Sequence, residues 1–91
     1  MDIERKLRRD IERDAMWGPR QDWQVGELVE CYRRDTPGIV EWRGVIASVS
    51  KQNGKASVVK PNGRRVHFSA RGLIVDAQYI GTQHVQIRRA R

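Results

Sequence analysis

The sequence predicts a mainly β fold, a small five-stranded barrel preceded by one N-terminal amphipathic α-helix. Three observations carry that expectation. Residues 25–75 divide into short apolar runs cut by Gly, Pro, Asn and Asp; the longest run holds Gly44 in its middle; and a charged stretch ahead of them repeats an apolar side chain every fourth position. Short alternating runs at close spacing are the mark of antiparallel sandwiches and barrels, and a glycine inside one signals the bulge or bend that a tightly curved sheet needs. The 91 residues make one domain, and at that size only about 60–65% of the unfolded chain's surface is buried, so the core is thin. The expected organisation is a charged helix over 1–16, a linker over 17–24, the barrel over 25–80 and a basic tail over 81–91.

The helix rests on Ile3, Leu7, Ile11 and Ala15, which share one narrow stripe among charged neighbours. Glu4/Arg8 and Lys6/Asp10 attract at i, i+4, whereas Arg5/Arg9 and Arg9/Arg13 repel, so local support is mixed. A helix this short is marginal alone in water. Its stripe is left to dock on the barrel or to form a homodimer through Ile3, Leu7 and Ile11. Gly18 and Pro19 end it, glycine by taking a left-handed C-terminal position and proline by lacking the amide that the ladder needs. Trp17 and Trp23 flank that turn, and two indoles around one linker are expected to cover an apolar end of the small core.

The first strand is expected over 25–34, with Val29 and Cys31 on one side and Leu28, Glu30 and Tyr32 on the other. Asp35-Thr36-Pro37-Gly38 supplies turn residues in sequence. The second strand runs over 39–49 through Gly44, the third over 56–60 after a turn at Gly54, and the fourth over 64–69 with Val66 and Phe68 inward and Arg65 and His67 outward. Between the third and fourth, Pro61 presets φ at the first corner of a type I turn and Gly63 takes the left-handed position of the closing bulge. Ala70-Arg71-Gly72 crosses over, and Leu73-Ile74-Val75 supplies the fifth, closing strand. In the tail, Tyr79-Ile80-Gly81 and residues 84–88 alternate well enough for one more short hairpin, while Arg88-Arg89-Ala90-Arg91 has no apolar content to hold it down.

The net charge of +7 is unevenly spread. Residues 1–15 carry five basic and five acidic side chains and residues 16–50 four and five, so the excess falls in residues 51–91, where nine basic side chains face Asp76 alone. Self-repulsion disfavours such a concentration unless an anionic partner is met there. Other features exclude whole classes of function. Cys31 has no second cysteine to pair with and reads as a buried reduced thiol, which points to a reducing, cytoplasmic setting. There is no signal-peptide pattern, and no apolar run approaches the roughly 18 residues of a membrane span. His67 and His84 with one cysteine offer no metal-ligand spacing, and no cofactor is implied. Grouping His67 with Ser69 and Asp76 as a triad requires a shaped cleft that this length does not provide, so no enzyme is expected.

The order Gly26-x-x-Val29-x-x-Tyr32, Trp42-Arg43-Gly44-Val45-Ile46, Ala56-x-Val58-Val59, Pro61-Asn62-Gly63, Val66 and Leu73-Ile74 resembles the SH3-like small barrels that include Tudor and KOW modules. The likeness lies at the level of the fold and covers about half the chain. The Tudor pattern implies aromatic and acidic cage residues just before the turn glycine, where this chain has Lys60, Pro61 and Asn62. A methyl-lysine cage needs several π-faces around a cation; Tyr32 and Trp42 alone do not enclose one, and Lys60 repels it.

Anion binding is the chemistry that remains. Lys51, Lys55, Lys60, Arg64, Arg65 and Arg71 are expected around the third and fourth strands and their turns, with His67 outward between them. Such clusters hold phosphates through charge and bidentate guanidinium contacts, which position a protein on nucleic acid without reading its sequence. Tyr32 and Trp42, facing outward, would add base stacking and favour single strands or RNA over duplex DNA. The expected function is a non-catalytic nucleic-acid-binding module with a basic hairpin surface, for DNA or RNA. The rival reading is a protein-interaction adaptor that docks its barrel or helix on a larger acidic protein machine, for instance through an exposed sheet edge.

Overall fold

The computed structural model describes Arg9, residues 16–75 and residues 84–90. Five strands, β1 (Leu28–Arg33), β2 (Val40–Val49), β3 (Ala56–Val59), β4 (Arg65–Phe68) and β5 (Val85–Arg89), form one sheet in the order β4-β3-β2-β1-β5. Every neighbouring pair is antiparallel. The expected fold class is corrected in one respect: the fold is mainly β, and among the described residues no helix stands as an element. Helical backbone is described only at Arg9, Met16 and Trp17, and the stripe that would have formed the expected helix and homodimer lies outside the described residues. One apolar side chain per turn fits a helical period yet offers little area to bury, so the periodicity alone does not support the helix as an element of the fold.

Alternation builds the core as expected. Val29 and Cys31 from β1, Ile46 from β2, Val58 from β3 and Val66 and Phe68 from β4 are all buried, joined by Val85 and Ile87 from β5. Trp23, from the linker, is buried too; its ring meets Phe68 edge-on at 5.2 Å and its Nε1–H donates to the Ser69 carbonyl at 3.2 Å. An indole from outside the strands thus completes a core that the strands alone leave thin.

Curvature comes from β2. The register with β1 shifts between Cys31 and Tyr32, and the register with β3 shifts between Ile46 and Ser48. At Gly44 a Cβ would run into the Val59 carbonyl oxygen and the Val58 side chain, so the glycine lets β3 lie close against the bent strand. The β3–β4 connection follows its chemistry: Gly63 N–H donates to the Lys60 carbonyl at 2.9 Å, Lys60 N–H donates to the Arg64 carbonyl at 2.8 Å, and Gly63 has φ 84°. That is the proline-led turn closed by a left-handed glycine.

The sheet curls until one segment joins its two edges. Ser69 N–H donates to the Leu73 carbonyl and Val75 N–H to the His67 carbonyl, which tie the segment to β4; Ile87 N–H donates to the Gly72 carbonyl, which ties it to β5. The closing strand is therefore not residues 73–75, where only Ile74 bridges to Phe68. It is β5, drawn from the stretch expected to be a basic tail, and it pairs with β1 at five consecutive positions from Val29/Arg89 to Arg33/Val85. Three residues after a turn are too few to cover the β1 edge. No helix among the described residues is long and apolar enough to cross a membrane.

Candidate nucleic-acid interface

Charge on this sheet sorts into two groups, and the sorting defines the site. One group is consumed internally. Glu30, with its side chain only 5% exposed, accepts from Arg88 Nε at 2.7 Å and from Arg43 Nε at 3.1 Å. The register makes this inevitable once the strands pair, because Glu30 stands opposite Arg43 on one side and Arg88 on the other. Glu27 accepts from Arg89 Nε at 2.6 Å, and Arg89 also donates to Gln21 Oε1 and to the Asp22 carbonyl. Glu41 pairs with Arg33 at 2.6 Å. Arg88 and Arg89, counted from the sequence among the excess cations, are clamps that hold β5 and the linker to the sheet.

These pairings set a pH dependence. The Arg88 guanidinium, and then that of Arg43, hold the Glu30 carboxyl below its ordinary value of 4.5 against the opposing effect of burial. Arg89 does the same to Glu27, likewise against burial. A carboxyl depressed in the folded state stabilises it at every pH above the unfolded value, and that contribution is lost as pH falls through the folded value. The urea midpoint is therefore expected to hold from pH 7 down to about 5 and to fall below the unfolded carboxylate range. Glu30→Gln should flatten that fall. At pH 7 it should cost about 2–3 kcal/mol, less than a fully buried pair because both guanidiniums reach water. A wild-type midpoint that is flat down to pH 3 would rule out this role for the clamps.

The second group comprises four exposed cations around β3 with no ion pair among the described residues; Arg20, which donates to the Asn53 carbonyl at 3.1 Å, is another outside the sheet. Arg64 and Arg65 stand at the end of the β3–β4 turn and the start of β4; Lys51 and Lys55 stand in the turn before β3. Asn side chains shape both turns: Asn62 Oδ1 accepts from Arg64 N–H and Asn53 Oδ1 from Lys55 N–H, each at 3.0 Å. Lys55 and Arg65 therefore lie at opposite ends of the short strand β3, with His67 exposed on β4 between them, opposite Ser57.

The remaining expected site residues are placed otherwise. Arg71 is drawn inward, its Nη1 donating to the Gly18 carbonyl at 3.0 Å and its own carbonyl accepting from Gln86 Nε2 at 2.7 Å. Tyr32 lies on the outer face of β1, but Arg88 covers its ring at 4.1 Å and its hydroxyl donates to Gln86 Oε1 at 3.3 Å. Trp42 faces the other way, opposite Cys31 and packed against the core, and the Lys60 ammonium lies 5.4 Å above its ring. Trp17 and Trp23 carry Arg34 and Arg89 in the same manner, at 4.3 and 5.0 Å. The chain thus meets the rings of Tyr32 and Trp42 with its own cations, a geometry that favours them as cation–π anchors. Burial pushes the Cys31 thiol up to about 11, which leaves it protonated and inert near neutral pH.

The structure sets Arg64 and Arg65 at one end of the β3–β4 hairpin, Lys51 and Lys55 at the other and His67 on β4 between them, while Lys60 lies over Trp42 and Arg71 and Tyr32 are engaged elsewhere. Sequence reasoning missed Arg43, whose side chain is 60% exposed beside Glu30. Only the β1–β2 register could have revealed that position, and no local motif encodes it. Comparison with protein-family models, with curated proteins and with solved structures gives no match.

Proposed function

We propose that the protein is a non-catalytic nucleic-acid-binding module of the SH3-like barrel kind, which contacts phosphates along the outer side of its β3–β4 hairpin. A meander of four strands whose fifth returns to β1 supports the assignment to that group. One observation carries the function. After Glu27, Glu30 and Glu41 are taken by Arg89, Arg88, Arg43 and Arg33, the exposed cations of the second half that form no ion pair among the described residues are on the hairpin and the turn before it. Lys55 to Arg65 spans the length of β3, roughly 13 Å at 3.3 Å per residue. Along the axis of a duplex, where each strand carries one phosphate per 3.4 Å, that length covers the rise of about four phosphates. A row of this length suits contacts to successive phosphates and leaves base identity unread.

A fluorescence titration of a mixed-sequence oligonucleotide across a salt series tests it. Binding should weaken linearly on logarithmic axes, and each phosphate contact removed should flatten the slope by about one unit. Arg64→Ala combined with Arg65→Ala is then expected to lower the slope by about two units and to weaken binding of all sequences alike. Unchanged slope and affinity in that double variant would remove the assignment.

A further inference from the structure

We infer that the outer face of the central strands is a docking surface for an acidic protein segment that presents aliphatic side chains. It adjoins the phosphate-contacting hairpin and shares Arg65 with it, while its aliphatic side chains and Arg43 lie outside that hairpin's cation set. The register aligns Leu28 of β1 with Val45 of β2, and Val45 with Val59 of β3. Their alternating neighbours Val29, Ile46 and Val58 fill the core, so these three point the opposite way, at 51, 47 and 36% exposure. Strands lie about 4.8 Å apart, which makes a continuous aliphatic bar roughly 10 Å long across the sheet. Single exposed apolar side chains are ordinary, whereas an aligned row in mid-sheet offers a contiguous apolar strip that a partner can cover.

Charge decides the occupant. The bar ends at Arg65, which stands opposite Val59. Beside it on the same face runs the row Arg43–Glu30–Arg88, in which a single nearly buried carboxylate serves two guanidiniums. That row is therefore net positive, and Arg43 is the more exposed of its two cations, held in place by Glu30. A second copy of the chain would set these cations against their own equivalents with Glu30 already spent. Nucleic acid gains nothing from Leu and Val, which offer no π-face for stacking. A segment with aliphatic side chains for the bar and carboxylates for Arg43 and Arg65 meets both features at once.

The experiment follows amide shifts of the isotope-labelled full chain while it is titrated with a helix-forming peptide of about 15 residues, leucine at every third or fourth position and glutamate elsewhere. A lysine-for-glutamate counterpart is the control. Saturating shifts at Leu28, Arg43, Val45 and Val59 are expected with the glutamate peptide alone. Val45→Asp, and separately Leu28→Ser, should weaken that binding at least about tenfold, and neither should change oligonucleotide affinity. The oligonucleotide arm keeps the two surfaces distinguishable, and the shift map of each free variant checks its fold. Absence of saturation by about 1 mM, a range ordinary for weak contacts, would overturn the inference. So would equal binding of the lysine peptide, shifts confined to the Lys55 and Arg64 turns, or a concentration-dependent doubling of mass that Val45→Asp abolishes.

Discussion

Deleting residues 84–91 is expected to abolish the cooperative fold. The segment contains β5, whose five register positions are the only cover of the β1 edge among the described residues. Its loss strips Val85 and Ile87 from the core at about 1.5–3 kcal/mol each. It also removes Gln86, whose Nε2 donates to the Trp17 and Arg71 carbonyls at 2.6 and 2.7 Å. Glu30 would keep only Arg43, and Glu27 and Trp23 would lose Arg89. Together these losses rival the roughly 5–15 kcal/mol that holds a typical domain. A truncated chain should show no sharp thermal transition by circular dichroism, and collapsed amide dispersion. A transition near the wild-type midpoint would mean that β5 is dispensable.

Gly72→Ala is expected to destabilise by about 3 kcal/mol, the sum of a left-handed backbone penalty of about 1–2 and an overpacking penalty of about 1–3. Gly72 has φ 84°, and a Cβ there would strike the Ile87 carbonyl oxygen. Both constraints have one origin, since Gly72 lies where the segment joining the two edges presses on β5. Gly63 separates them. It has the same φ of 84° with nothing within 4 Å of its missing Cβ, so Gly63→Ala should cost only the backbone part, about 1–2 kcal/mol. Equal urea midpoints for the two variants would show that the close approach of Gly72 to Ile87 does not help to hold the two edges of the curled sheet together.

How much of this was legible in the chain follows from the range of each interaction. The hairpin at Pro61-Asn62-Gly63 and the inward Val66 and Phe68 were readable because turn chemistry and alternation act within a few residues. The close approach at Gly44 was foreseen as an irregularity, although its cause, the Val59 carbonyl, is a feature of another strand. β5 was misread as a tail with an ambiguous hairpin because what holds it is remote: Arg88 reaches Glu30 fifty-eight positions back and Arg89 reaches Glu27 sixty-two back. The same distance explains the site. Arg88, Arg89 and Arg71 look like free cations in the sequence, and only the fold shows them bound to a carboxylate, a side-chain amide or a backbone carbonyl. Lys51, Lys55, Arg64 and Arg65 were legible as surface cations because no ion pair among the described residues claims them.

The most direct measurement of the central claim is an amide-shift map of the labelled protein titrated with a short mixed-sequence oligonucleotide at low salt. The account predicts that the largest shifts cluster at Lys51, Lys55, Arg64, Arg65 and His67, and that they vanish together as salt is raised. Shifts centred instead on Tyr32, Arg88 and Arg89, or an unchanged spectrum throughout, would contradict it.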